Sequence, residues 1–390
     1  MQVEARTEAL ERYRSLPVPD TNEEPWRFTD LKGFDPDAFT AAPGVSKPES
    51  MLELDVAGLA HVGEGGIEIE RAPEGVTFEL LSEDHPRLHE LVGWDEKFAA
   101  HNAAAWQAGL LVRVPKGVVV EQPLYVRVAN AADDASLFWR LLVEVEESAQ
   151  VTLIEEYTSA RPDLRGYSNA VAELFVGANA KLEYVSIQNL SRETWHFATH
   201  HARVERDAEL DWVAGGFGSK RGKVRIQNDL AGAGATSRVT GAYFADGDQH
   251  LDYDTFQEHI APRTESDFAF KGALRDRATT VWRGMIRVEH DAQQTNAYQE
   301  NRNLMLSPKA HADSIPGLEI LANDVRCTHG STTGQVDREQ LFYLMARGLT
   351  RQEAERIIVR GFFQNILDRI DLEPVRDALG AALESRIPQA

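Results

Sequence analysis

Near the C-terminal end of the chain stand its only cysteine, Cys327, and, two residues on, His329. In an extended strand residues i and i+2 project to the same face. If Val325 to His329 is a strand, the thiol and the imidazole stand side by side. Thiolate and imidazole are ligands that suit iron and zinc. A tetrahedral metal site or an iron–sulfur cluster takes about four ligands. The pair is therefore either part of a site that another subunit completes, or a packed thiol beside a hydrogen-bonded histidine. Free cysteine is among the most buried residue types, so the spacing alone favours packing.

Other chemical motifs fall short. The stretch GGFGSKRGK, residues 215–223, has the look of a phosphate loop. That loop requires Gly, four residues, then Gly-Lys-Ser/Thr. Here Phe217 stands five before Gly222 and Val224 follows Lys223, so the stretch reads as a glycine-rich β turn. His200, His201, His250 and His259 lack metal-finger spacing and read as surface or turn histidines. Neither a G-x-S-x-G elbow nor an H-E-x-x-H pair is present. The residues supply no complete active site, and a non-catalytic chain is the expectation.

The elements that must position Cys327 and His329 follow from patterning. With 390 residues and 43% hydrophobic content, the chain can form one large domain plus satellites. The net charge of −21 argues against nucleic acid as a partner, since phosphate binding needs a basic surface. One cysteine excludes an intramolecular disulfide framework and points to a reducing compartment. The opening MQVEARTEALERYRSLP lacks the apolar centre of a signal peptide, and no run reaches membrane-span length. A cytoplasmic location without membrane contact is expected.

Residues 1–105 read as a mixed, mostly helical region. Residues 106–335 are almost wholly β, with β-branched residues, period-two alternation and glycine or proline breaks. Seven turns there end in an alanine before a new strand: Ala149, Ala180, Ala208, Ala235, Ala278, Ala292 and Ala310. Their spacings, 31, 28, 27, 43, 14 and 18, are irregular. A strand–turn–strand repeat with a small residue at each corner fits a solenoid. It fits a β-sandwich of antiparallel hairpins equally well, because both alternate apolar and polar residues. Residues 336–390 read as helices. Asp337 with Gln340 and Thr350 with Glu353 have capping-box spacing, and Gly348 ends the first helix. So short a tail must dock on the β body or on a partner. Leu341, Phe342, Tyr343, Ile357, Ile358 and Phe362 are its candidate partner-binding residues.

At this point the residues resemble a known family. PWRFTDL, DEKFAAHNAAAWQAGLLVRVPKGVVVEQPLYV, GAYFADGDQHLDYDT, HIAPRTES, FKGALRD and the long run from TNAYQENRNLMLS through RCTHGSTTGQVDREQLFYLMARGLT are similar to the SufB/SufD family of the Suf iron–sulfur cluster assembly system. The resemblance covers most of the chain outside residues 30–90. It implies a mainly β fold, a right-handed parallel β-helix flanked by helical regions, and so chooses the solenoid. It also implies a scaffold role: pairing with SufB through the β-helices, and binding of the SufC ATPase through the C-terminal helices. Sulfur would come indirectly from a cysteine desulfurase system. A transient iron–sulfur cluster would form at the interface with SufB and would not be held stably by the isolated chain. SufB-like chains carry a cysteine in the segment equivalent to ENRNLMLS, where Arg302 stands here, and acidic residues around the histidine matching His329, whose neighbours here are Thr328 and Gly330. Both departures place the chain on the SufD side of the family. Carried over by motif, His329 takes the position of the histidine implicated at the assembly site and Cys327 that of the motif cysteine. These two are the candidate metal ligands, shared with the partner. Two rival readings are a homodimeric or SufB-like scaffold acting without a distinct SufB, and a secreted β-helix that binds or cleaves acidic polysaccharide. The acidic balance weighs against the second.

Overall fold

The computed structural model describes residues 2–387, with side chains from Ala5 onward. Its centre is a parallel β-solenoid of about eight turns with helices at both ends. Alternate strands belong to alternate sheets, one of ten strands and one of nine. Within each sheet a strand pairs in parallel with the strand two further along the chain. Trp195–Val204 lies between Gly166–Val176 and Arg221–Leu230, for example, residue for residue along its whole length. This register excludes the sandwich, whose neighbours would be antiparallel hairpins.

The repeat is regular once the two corners of a coil are separated. Strands of the ten-stranded sheet begin at Gln150, Lys181, Glu209, Thr236, Glu265, Asn296 and Arg326, at intervals of 27 to 31 residues. Just before them Ser148, Asn179, Asp207, Gly234, Arg263 and Gln294 take left-handed φ values between 54° and 78°. Each donates its N–H to a carbonyl one coil further on, from Ser148 to Ala178 at 2.9 Å through to Gln294 to Asp324 at 2.6 Å. Ser, Asn, Asp and Gly suit that conformation because a short side chain or none avoids the Cβ clash. Ala149, Ala180, Ala208 and Ala235 follow at this corner and are no more than 1% exposed. Ala278 and Ala310 occupy the opposite corner, ahead of Thr279 and His311. The irregular alanine spacing came from mixing the two.

Between the sheets lies an apolar interior that includes the fully buried Trp139, Trp212 and Trp282. The outer faces are covered too. Phe34, Phe39 and Phe98, from the N-terminal region, pack on Tyr167, Trp195 and Phe197 of the nine-stranded sheet. Three C-terminal helices follow the last strand. Numbered with the two N-terminal helices α1 (Gln2–Ser15) and α2 (Lys97–Ala105), they are α3 (Arg338–Ala346), α4 (Arg351–Leu367) and α5 (Glu373–Ser385). Thr350 and Glu353 form a reciprocal capping box on α4, and Asp337 accepts from Glu339 N and Gln340 N at the start of α3. Val359, Phe363 and Ile366 of α4 and Leu379 and Leu383 of α5 pack on Val185, Ile187, Val213 and Phe244 of the ten-stranded sheet.

The two ends of the solenoid differ. At the N-terminal end Gly66–Arg71 folds back antiparallel on Gly58–Gly63, and Thr77–Leu80 runs antiparallel to Ala108–Val114. Gly58–Gly63, Gly66–Arg71 and Thr77–Leu80 precede residue 106 but complete both sheets, since Gly58–Gly63 also pairs in parallel with Leu124–Asn130. The outer hairpin strand carries Glu68 and Glu70, bound by Lys47; charge on an edge discourages further pairing. At the C-terminal end His311–Ile320 and Arg326–Gln335 each have a single neighbour, and Leu318 and Ile320 are exposed.

The histidines correct the sequence reading. His200, His250 and His259 are buried, at 2%, 5% and 0% exposure, and His201 is held by Leu91 O and Asp229. His200 and His259 face the interior of the coils, where a polar side chain reads in sequence like one facing out, whereas His250 and His201 lie on the outer face beneath Thr29 and Leu91 of the N-terminal region. Burial lowers His196 and His250 to about 4 and His200 and His259 to about 3. These imidazoles stay neutral in the folded chain, while the unfolded chain protonates them below about pH 6.5. The unfolded state then binds more protons, so stability falls as pH falls, by about 1.4 kcal/mol per group per unit. Urea midpoints are expected to drop steeply between pH 6.5 and 4.5. A flat profile across that window would contradict the burial of these rings.

Candidate functional site

Cys327 and His329 lie on Arg326–Gln335, the last strand of the ten-stranded sheet, in register with Ala297 and Gln299 of the strand before it. Ala297 and Gln299 are buried, at 2% and 0% exposure, and face the interior. Strand alternation therefore turns Cys327 and His329 inward as well, into the last, open coil. The side-by-side arrangement expected from the C-x-H spacing is present.

Their surroundings differ. Cys327 is half-buried against Ile286, Val288, Ala292, Ala322 and Val325. Burial raises its thiol pKa, which disfavours the thiolate a metal requires. His329 is exposed. Beneath it Gln299 donates through Nε2 to Gly284 O at 3.2 Å and Gly317 O at 3.0 Å, tying the last coils together. Among the described residues no group of three or more His, Cys, Asp or Glu side chains is placed to hold a metal ion. Arg302 is exposed and bound to Glu300 on the other face of the sheet, so it does not meet Cys327 or His329. On the neighbouring edge strand, exposed His311 bonds Asp313 through Nε2 at 3.2 Å. The sequence reading passed over this pair, although its i, i+2 spacing in HAD was the same signal as C-x-H.

A second feature adjoins the open end. Phe342, Tyr343, Ile357, Ile358, Gly361 and Phe362 line a mainly apolar groove of about 1150 Å³ between α3 and α4. Phe342 is 74% exposed, and Tyr343 and Ile357 are about half exposed. Ile358 and Phe362 are partly buried where α4 meets the solenoid, and Lys271 Nζ donates to Phe362 O at 2.6 Å. Leu341, grouped with these from sequence, is buried and does not line the groove.

The glycine-rich stretch is structural. A Cβ on Gly218 would lie 2.1 Å from Leu190 N, and one on Gly215 would lie 2.9 Å from Leu379 of α5. These glycines permit a tight corner and the close approach of the tail. Lys223 Nζ binds Asp252 at 2.6 Å and sits over the Trp26 ring. Asp252 is also held by Thr29, so this lysine pins the N-terminal region to the nine-stranded sheet.

With this geometry in place, comparison with known proteins identifies the fold's setting. Residues 127–362 match the family model described as "SUF system FeS cluster assembly, SufBD core domain". An iron–sulfur cluster assembly SufBD family protein of Mycobacterium tuberculosis is 31% identical over 378 residues, covering 95% of this chain and 89% of the relative. The SufD of Bacillus subtilis is 30% identical over 75% of this chain and 67% of its own length. The SufB of the same organism is 31% identical over 72% of this chain and 60% of its own length. A solenoid with an open last coil, matched by a family model over most of its length, settles the assignment: the chain belongs to the SufBD family of iron–sulfur cluster assembly proteins.

Proposed function

We propose that this chain is the SufD-type scaffold subunit of a Suf assembly complex. The observation that carries the reading is the contrast between the two solenoid ends. One is closed by a charged hairpin; the other presents two strands with one edge free each and an exposed His329 that, among the described residues, belongs to no group of three or more metal-ligating side chains. Pairing that edge with the last coil of a SufB subunit would continue both sheets and bring further ligands to His329. The nascent cluster, the cargo of the complex, would form there. The groove between α3 and α4 would receive the SufC ATPase, because an exposed apolar surface beside a polar rim is characteristic of a protein interface. The desulfurase system would act through SufB. The chain works in the cytoplasm on this reading.

A SufB-like scaffold working without a separate SufB is the second reading, favoured by the near-equal identity to the Bacillus subtilis SufB and SufD. Affinity purification of the native chain from its own cells separates the two. Recovery with distinct SufB and SufC chains supports the proposal, and recovery of a homodimer with SufC alone supports the second reading. ATP turnover is expected only in the presence of SufC. Hydrolysis by the purified chain, lost in Lys223→Ala, would overturn the non-catalytic assignment.

A further inference from the structure

Midway along the solenoid, between the two sheets and remote from the open coil, is a small cavity. Small side chains create it: Ser186, Ala198 and Ala214 face inward, and their register neighbours include Ala170 and Gly241. Tyr157, Gln188, His196, His200 and Tyr253 add polar groups to its lining, and all eight of these residues are buried. It offers about 10 Å³ to the centre of a water-sized molecule, the room that one water needs by that measure.

His200 gives this space a chemical meaning. Its ring lies parallel to Trp212, with centroids 5.6 Å apart, and is edge-on to Tyr184. Neither Nδ1 nor Nε2 has a protein partner. A neutral imidazole carries one N–H donor and one lone-pair acceptor. Leaving both unpaired in a buried site costs the desolvation of two polar groups, about 1–3 kcal/mol each. An apolar residue of the same shape would avoid that cost. His196 bonds Ser168 Oγ through Nδ1 at 3.2 Å, and Trp212 Nε1 donates to Ser186 Oγ at 3.4 Å. The hydroxyl of Ser186 therefore has a proton to donate into the cavity.

We propose that this cavity is a binding site for a single water-sized hydrogen-bonding molecule, water itself in the resting protein, held between a ring nitrogen of His200 and the polar groups of Ser186 and Tyr253. Charge does not recommend a cation, since among the described residues no set of three ligating side chains surrounds it. Its size excludes anything larger than a few atoms. The occupant completes the hydrogen bonding of His200 and lets a polar residue persist in an otherwise apolar stack.

Diffraction from crystals of the full chain, native and under xenon pressure, tests the site, because a dry apolar cavity takes up xenon and a hydrated polar one does not. The expected result is one solvent peak within hydrogen-bond distance of a His200 ring nitrogen and no xenon there. In His200→Phe, which substitutes a ring of similar shape, that peak is expected to vanish. Xenon in the native cavity, or no density in either crystal, would overturn the proposal. Should His200→Phe fail to fold, the native pair of data sets still decides.

Discussion

Replacing His329 with alanine is expected to leave the complex with SufB and SufC intact and to lower cluster formation on it by at least about ten-fold. Loss even of groups that merely orient a ligand typically costs about 10–100-fold in metal affinity, and the exposed imidazole of His329, with no hydrogen-bond partner among the described residues, would act as a ligand itself. The fold does not depend on it. His329 is exposed, and the coils are held by the corner hydrogen bonds and the buried apolar stack. Cys327→Ser is expected to be milder in assembly, because the thiol packs against Val288 and Ala322 and burial keeps it protonated. Anaerobic reconstitution followed by iron and sulfide determination measures both. Wild-type cluster levels in His329→Ala would place the site wholly within the partner.

The second large effect concerns the groove. Phe342→Asp together with Ile357→Asp is expected to weaken SufC binding by at least about 100-fold, the loss of one hot spot of about 2–3 kcal/mol. The fold should survive, because Phe342 and Ile357 are exposed. Deleting residues 336–390 is a poorer test. Val359, Phe363, Ile366, Leu379 and Leu383 share one cluster with the ten-stranded sheet, so truncation bares an apolar face and is expected to give aggregated protein. Titration of the double variant with SufC by calorimetry decides the matter; unchanged affinity would move the docking surface elsewhere.

Much of the architecture was legible in the sequence. Period-two alternation placed the strands, and Thr350, Glu353 and Gly348 marked the ends of the tail helices. The C-x-H spacing put Cys327 and His329 on one face. What was not legible has physical causes. A solenoid and a sandwich alternate identically along each strand and differ only in which strands pair, which is a long-range property. The corner alanines obscured the repeat because Ala278 and Ala310 belong to the opposite corner from Ala149 to Ala235. His200 and His259 misled because a buried polar residue satisfied by serine or threonine, or by a cavity, carries no local signature. Leu341 misled because four consecutive apolar residues, Leu341 to Leu344, wrap most of the way round a helix and cannot all face one groove. The direction of Cys327 and His329, into an open coil, came only from their register with Ala297 and Gln299.

The partner is expected to add at the last coil. Backbone hydrogen exchange tests it most directly, by comparing peptides spanning residues 311–335 in the isolated chain with the same peptides in the complex with SufB. The account predicts fast exchange of the unpaired edge amides in the isolated chain and strong protection in the complex, with the hairpin at residues 58–71 unchanged. Equal exchange of residues 311–335 in both samples, with protection appearing elsewhere, would contradict it.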